Sequence, residues 1–182
     1  MMQRHIYFSK VNRFRSLVMG MGIVLFCTSV NAQPKVERAA AYQSWSVFRD
    51  YSANEPTCWI ATKPVESVMS KSNAKRGDVM LMILVLPKSG VKNEVSFVAG
   101  YPLKPNTPVS MSVGSAKFNM FVGGEGAWLG SAKEDAQTVT KMRQGAQAIL
   151  KGVSTRGTKT KDIFSLYGFT KALSHARDLC SK

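Results

Sequence analysis

From Ser44 onward, apolar and polar residues alternate with a period of two along much of the chain, the pattern of strands that bury one face. Trp45, Val47 and Arg49 alternate with Ser46, Phe48 and Asp50, which predicts a first strand. Thr57 to Thr62 predicts a second, carrying Cys58 and Trp59. Val79 to Leu86 (VMLMILVL) is the strongest apolar run of this part of the chain, and Pro87 stops it. Its length suits a strand buried on both faces. Val79, Leu81, Ile83 and Val85 then face one layer, while Met80, Met82, Leu84 and Leu86 face another, to be covered by a second sheet, a helix or a partner chain. Val95, Phe97, Ala99 and Tyr101 share one side of a further strand. Val109, Met111 and Val113 alternate with serines before a hairpin break at Gly114-Ser115, and Phe118 to Val122 returns.

The period changes after Trp128. Ser131-Ala132-Lys133-Glu134 has the form of a capping box, in which the serine accepts from the third helical N–H and the glutamate reaches back. A helix is predicted to follow and to end before Gly145, with Val139 and Met142 inward. Ala148 to Val153 reads as a strand, Thr155 to Lys161 as a kinked strand or hairpin, and Ile163 to Leu166 as another strand. Thr170 is predicted to cap a last helix running through Cys180, with Leu173 and Ala176 inward. Lys71 to Asp78 reads as a polar turn. About seven short strands with one or two short α-helices make the fold class mainly β, a β-sandwich.

The first 32 residues are set apart by composition. Arg4, Lys10, Arg13 and Arg15 precede the apolar stretch Leu17 to Val30, and Val30-Asn31-Ala32 has the small-x-small form of a cleavage site. The stretch is short for a membrane span of about 20 residues, so residues 1–32 read as a signal peptide, with an uncleaved anchor as the alternative. Residues 33–43 read as a flexible lead-in, and 44–182 as the folded domain, with no transmembrane segment after cleavage. Removing the four cations of the signal lowers the formal net charge from +14 to +10. Such a charge favours anionic partners: lipid head groups, acidic polysaccharide or nucleic acid. Export argues against nucleic acid, as does the scatter of lysine and arginine along the chain. Cys27 leaves with the signal, and Cys58 and Cys180 remain. In an oxidising compartment such a pair usually bridges; two free thiols are the alternative.

Catalytic chemistry finds little footing. His175 is the only histidine after Ala32, and only Asp178 and Cys180 lie near it in sequence. Gly123-Gly124-Glu125-Gly126 lacks the lysine of a phosphate loop and suits a turn. Glu125 and Asp162 are the one pair of acids to consider for glycan hydrolysis. No metal or cofactor is implied. Arg156, Lys159 and Lys161 form the best candidate contact surface, with Lys159 and Lys161 on one face if the segment is a strand. Trp45, Trp59 and Trp128 suit a core better than a sugar-stacking platform.

Taken together, Trp45-x-Val47, Cys58, the apolar strand ending at Pro87, Gly100-Tyr101, Ala127-Trp128 and Met142-Arg143-Gln144-Gly145 resemble the invasion-associated locus B family of exported bacterial proteins. The tail adds Ser154-Thr155-Arg156-Gly157-Thr158-Lys159-Thr160-Lys161-Asp162, then Ser165-Leu166-x-Gly168-Phe169, Ala172 and Cys180. The resemblance spans Trp45 to Cys180. It implies an immunoglobulin-like β-sandwich in the bacterial envelope, in the periplasm or at the outer-membrane surface. It also implies a part in invasion of host cells, with no enzymatic activity to carry over. Many members hold further cysteines in the N-terminal half, where this chain has only Cys58, so no disulfide pairing is transferred. The partner expected is an anionic envelope or host-surface component, or another envelope protein. A periplasmic housekeeping or inhibitor module is the alternative role.

Overall fold

The computed structural model describes residues 36–52, 56–86 and 90–181, so the signal-peptide reading of residues 1–32 lies outside it. Among the described residues eleven strands and two helices follow one another. The strands are β1 (Val36–Tyr42), β2 (Trp45–Asp50), β3 (Thr57–Thr62), β4 (Glu66–Met69), β5 (Met80–Leu86), β6 (Val91–Val98), β7 (Val109–Val113), β8 (Ala116–Gly123), β9 (Gly126–Trp128), β10 (Gln147–Val153) and β11 (Lys159–Ser165). The helices are α1 (Ala132–Gln144), before β10, and α2 (Phe169–Cys180), after β11.

All strand pairs are antiparallel, in the order β1-β2-β3-β5-β6-β9-β8-β7-β10-β11-β4. β8 is where the sheet turns over. Its first half pairs with β7 and its last three residues pair with β9. The two halves thus face each other as a sandwich. Phe97 of β6 meets Phe164 of β11 edge-on across the layers, with ring centroids 6.2 Å apart. The mainly β, helix-bearing sandwich of the sequence reading is therefore correct in class, with eleven strands in place of about seven.

Alternation sets the core. Leu81, Ile83 and Val85 on β5, Val95 and Phe97 on β6, and Val109, Met111 and Val113 on β7 all point inward and are buried. Among the described residues no second sheet or helix covers the outer face of β5, where Met80, Met82, Leu84 and Leu86 lie half-buried. On that same face Phe48 stacks on Trp59, with centroids 5.4 Å apart. Ser131 caps α1 as predicted, and the Glu134 carboxylate accepts from Gly130 N at 3.0 Å. Asp135 of α1 accepts from Val95 N at 2.9 Å, and burial holds its carboxyl above the usual carboxylate range. α2 packs on β2 and β3 through Phe169, Leu173 and Ala176, which are fully buried. Phe169 meets Trp45 at 5.1 Å, and the Trp45 indole N–H donates to Ser165 O at 3.0 Å.

Three sequence expectations are corrected. Within the lead-in of residues 33–43, the described part is not loose, because Val36–Tyr42 forms β1 and pairs along the whole of β2. Its alanines carry little apolar signal, and the backbone ladder supplies the order. Thr170 does not cap α2. The N-cap is Gly168, with φ 88° and no side-chain cap. A Cβ there would lie 2.0 Å from Tyr42 O. Trp128 is not core: it is 40% exposed, because Ala127 takes the inward position of β9. Trp59 is half-buried for the same reason of parity, leaving Trp45 as the core tryptophan.

Cys58 of β3 and Cys180 at the end of α2 form a buried disulfide across 122 residues of sequence. Closing so long a loop stabilises by about 4–5 kcal/mol through the entropy of the unfolded chain. Thiol counting on the unreduced, denatured protein should find neither cysteine free, and reduction should lower the urea-unfolding free energy by about that amount; two free thiols would remove the bridge. Gly168→Ala should cost at least about 2 kcal/mol by the same measurement, combining a left-handed backbone with a steric clash.

Candidate anion-binding site

The turn between β10 and β11 builds one wall of a cleft. Ser154 Oγ accepts from Thr158 N at 3.0 Å, and Gly157 N donates to Ser154 O at 2.8 Å. Gly157 sits at φ 78°, a conformation that closes the turn tightly and that a residue with a Cβ adopts at a cost. Thr155 N donates to Pro102 O at 2.9 Å and Lys104 N donates to Val153 O at 2.8 Å, fixing the turn against the segment after β6. The opposite wall is the loop between β4 and β5. Lys71 Nζ donates to Arg156 O at 3.3 Å, tying the two walls together. Gly77 N donates to Gly100 O at 2.7 Å and anchors the far end of the loop.

The floor of the cleft is a buried ion pair. Arg76 lies between the sheets with its side chain 9% exposed, and Asp162 of β11 is fully buried. Arg76 Nη1 donates to Asp162 Oδ1 at 2.8 Å and Nη2 to Oδ2 at 3.1 Å. The same guanidinium donates to Ala99 O from Nη2 at 2.6 Å and from Nε at 3.0 Å. Ser67 Oγ of β4 donates to Asp162 Oδ1 at 2.6 Å. The guanidinium also sits 5.0 Å from the centroid of the Tyr101 ring. The Tyr101 hydroxyl shares a 2.6 Å hydrogen bond with Thr160 Oγ1, and burial raises its pKa above the ordinary tyrosine value. Above this floor is a cleft of about 560 Å³ whose lining includes Lys71, Lys75, Arg76 and Arg156 and no carboxylate.

The structure divides the basic trio read from the sequence. Arg156 lies on the cleft. Lys159 and Lys161 project from the outer face of β11, sharing a face as expected, while Thr160 and Asp162 point inward. Lys161 stands directly opposite Lys151 of β10, and Lys159 opposite Val153. Among the described residues the ion pairs are Lys63–Asp78 and Arg76–Asp162, so neither Lys151 nor Lys161 has a carboxylate partner. Like charges directly opposite on neighbouring strands are destabilising by a few tenths of a kcal/mol or more, roughly the size of a favourable cross-strand pair.

Sequence reasoning missed Lys71, Lys75, Arg76 and Lys151. The signal for the first three was the run KSNAKR, passed over as a polar turn. Lys151 could be found only through its pairing with Lys161. The acids Glu125 and Asp162 share no cleft. Asp162 is locked beneath Arg76, and Glu125 is exposed in the β8–β9 turn. His175 is half-buried on α2, with Nδ1 at 3.0 Å from the Tyr42 hydroxyl. Among the described residues, no group of three His, Cys, Asp or Glu side chains is placed to hold a metal ion.

A family model described as Invasion associated locus B (IalB) protein matches residues 45–177. The chain belongs to the IalB family. Among solved structures, invasion associated protein B from Bartonella henselae is similar, with a TM-score of 0.56 and 16% sequence identity. The match covers 79% of this chain and 98% of that one, and at this identity it carries the fold alone. No curated protein matches the chain. The IalB family is not a known enzyme family. The matched span contains the disulfide's first cysteine, the Arg76–Asp162 pair and the whole of the cleft.

Asp162→Ala should lower the urea-unfolding free energy by about 3–5 kcal/mol, because it strands a buried guanidinium. Asp162→Asn should cost less, since one carboxamide oxygen still accepts from Arg76 and Ser67. Equal, negligible losses for both would show that the pair does not hold the sheets together.

Proposed function

We propose that this IalB-family protein is an exported, non-catalytic envelope protein that assists association with host cells by binding an anionic surface component. The observation that carries the reading is the lysine face of β10 and β11, Lys151 opposite Lys161 with Lys159 alongside, none of them in an ion pair among the described residues although Glu66 of β4 faces the same side. An anionic partner would relieve the repulsion between the opposed lysines. Family membership supports the envelope setting. So does the N-terminal segment, with its cations, short apolar stretch and Val30-Asn31-Ala32. No helix among the described residues is long and apolar enough to cross a membrane. The formal net charge, +14 for the chain and +10 without the four cations of residues 1–32, adds long-range attraction toward anionic surfaces, which accelerates encounter more than it tightens the final complex.

Binding of the chain from Gln33 onward to immobilised heparin, used as a sulfated polysaccharide probe, should weaken steadily as salt rises. Replacing Lys151, Lys159 and Lys161 together by serine should weaken it at least about tenfold at low salt, since a cation near an anionic surface contributes ~1 kcal/mol. Binding that is unchanged by salt and by the triple replacement would sink the electrostatic reading. Protease treatment of intact cells locates the domain: loss of the mature band, with a periplasmic control intact, fits direct host contact. Full protection instead fits the housekeeping or inhibitor role inside the envelope.

A further inference from the structure

The geometry points to a second, separate binding site: the cleft between the β4–β5 loop and the β10–β11 turn takes a single acidic sugar unit, a hydroxylated ring bearing a carboxylate or phosphate. This goes beyond the lysine face, which offers an open surface to an extended polyanion and shares no residue with the cleft.

Charge gives the first argument. Arg76 is neutralised by Asp162, but Lys71, Lys75 and Arg156 line the same cleft with no carboxylate among the lining residues. The nearest buried acid is already taken up by Arg76 and Ser67. Three cations around one concavity raise the local potential for an anion far more than three dispersed on a convex surface.

Size and lining chemistry narrow the class. About 560 Å³ is the scale of small-ligand pockets and accommodates a monosaccharide, not a folded partner. Apart from Met69, Ala74, Pro102 and the Tyr101 ring, the walls are hydroxyls, an amide and cations, with Asn73, Ser154, Thr155 and Thr158 among them. Ser154 Oγ already accepts from Thr158 N, but a fatty or aromatic ligand would offer the cations and the Thr155 hydroxyl no partner, whereas sugar hydroxyls can exchange hydrogen bonds with them. Bidentate recognition of a carboxylate or phosphate is what an arginine fork such as Arg156 provides, with lysines adding point charge.

Preorganisation is the third argument. Both walls are already fixed: Lys71 holds Arg156 O, Thr155 N holds Pro102 O, and Arg76 is tied at four hydrogen bonds to Ala99 and Asp162. A ligand entering such a cleft orders few groups beyond the ends of Lys75 and Arg156, so a small molecule can bind measurably.

Isothermal titration of the chain from Gln33 onward with glucuronate, glucose 6-phosphate, glucose and inorganic phosphate tests the assignment. Saturable binding of glucuronate or glucose 6-phosphate is expected, with glucose at least about tenfold weaker, the loss expected of one charge-assisted hydrogen bond. Which of the two acidic probes binds more tightly identifies the anion. Arg156→Gln and Lys75→Gln, both at exposed positions, should each weaken the acidic probes by a similar factor with the unfolding midpoint unchanged. Lys159→Gln with Lys161→Gln should leave these affinities alone while reducing heparin retention, which separates failure of this site from failure of the lysine face. No saturable binding of either acidic sugar, or binding indifferent to Arg156→Gln, overturns the site. Inorganic phosphate binding as tightly as glucose 6-phosphate overturns the sugar assignment.

Discussion

The contact between Arg76 and Asp162 is the constraint on which the arrangement of the molecule depends. Asp162 has no water access, and Arg76 has little. An unpaired charge in that position would cost several kcal/mol in desolvation, so each makes the other tolerable. The pair also ties the loop before β5 and the backbone just after β6 to the ladder of β4 and β11, at the central residue of β11. Apolar packing between the layers, such as Phe97 against Phe164, constrains their offset through shape. A bidentate guanidinium–carboxylate pair fixes the offset, because both oxygens must meet their donors. Whether such a pair raises net stability over apolar replacements is a separate question; its contribution here is to specify one arrangement.

That division of labour explains how a basic protein keeps usable cations on its surface. The one acid buried at the cleft is consumed by an arginine with a structural task, leaving Lys71, Lys75 and Arg156 without a local counter-charge. On the other face of the same hairpin, inward Thr160 and Asp162 alternate with outward Lys159 and Lys161. A single strand therefore contributes to the core pair, to the cleft floor and to the lysine face. The strict two-residue period of β structure makes this possible, and it means that the turn and the face cannot shift in register independently.

The fold was legible where side chains carry the pattern, and illegible where the backbone alone does. VMLMILVL, TCWIAT and the Ser131 capping box announce β5, β3 and α1 within a residue or so, because burial or capping dictates those residue types. β1 is Ala-rich and β4 is almost wholly exposed, so neither shows the alternation that would reveal a strand; each exists because a neighbouring edge offers hydrogen-bond partners. Two outward residues misled in the other direction. Trp59 and Trp128 are as apolar as Trp45, and only their parity on the strand decides that they face outward. For the candidate site, Arg156 stood out because of its turn. Its companions Lys71, Lys75 and Arg76 lie about eighty residues earlier, and Lys151 acquires meaning only opposite Lys161. Proximity across that much chain is a property of the topology and leaves no local trace.

The bridge between β3 and the end of α2 has a consequence for how the chain matures. Translation delivers Cys58 early, and its partner arrives 122 residues later, on the order of ten seconds at ordinary rates of synthesis. During that interval the Cys58 thiol has no Cys180 to pair with. From Gln33 onward Cys180 is the only other cysteine in the sequence, so that part of the chain has one possible internal pairing and no isomer to sort. The vulnerable period is one of waiting, in which the hazard is capture by another molecule's thiol, and arrival of the last helix ends it.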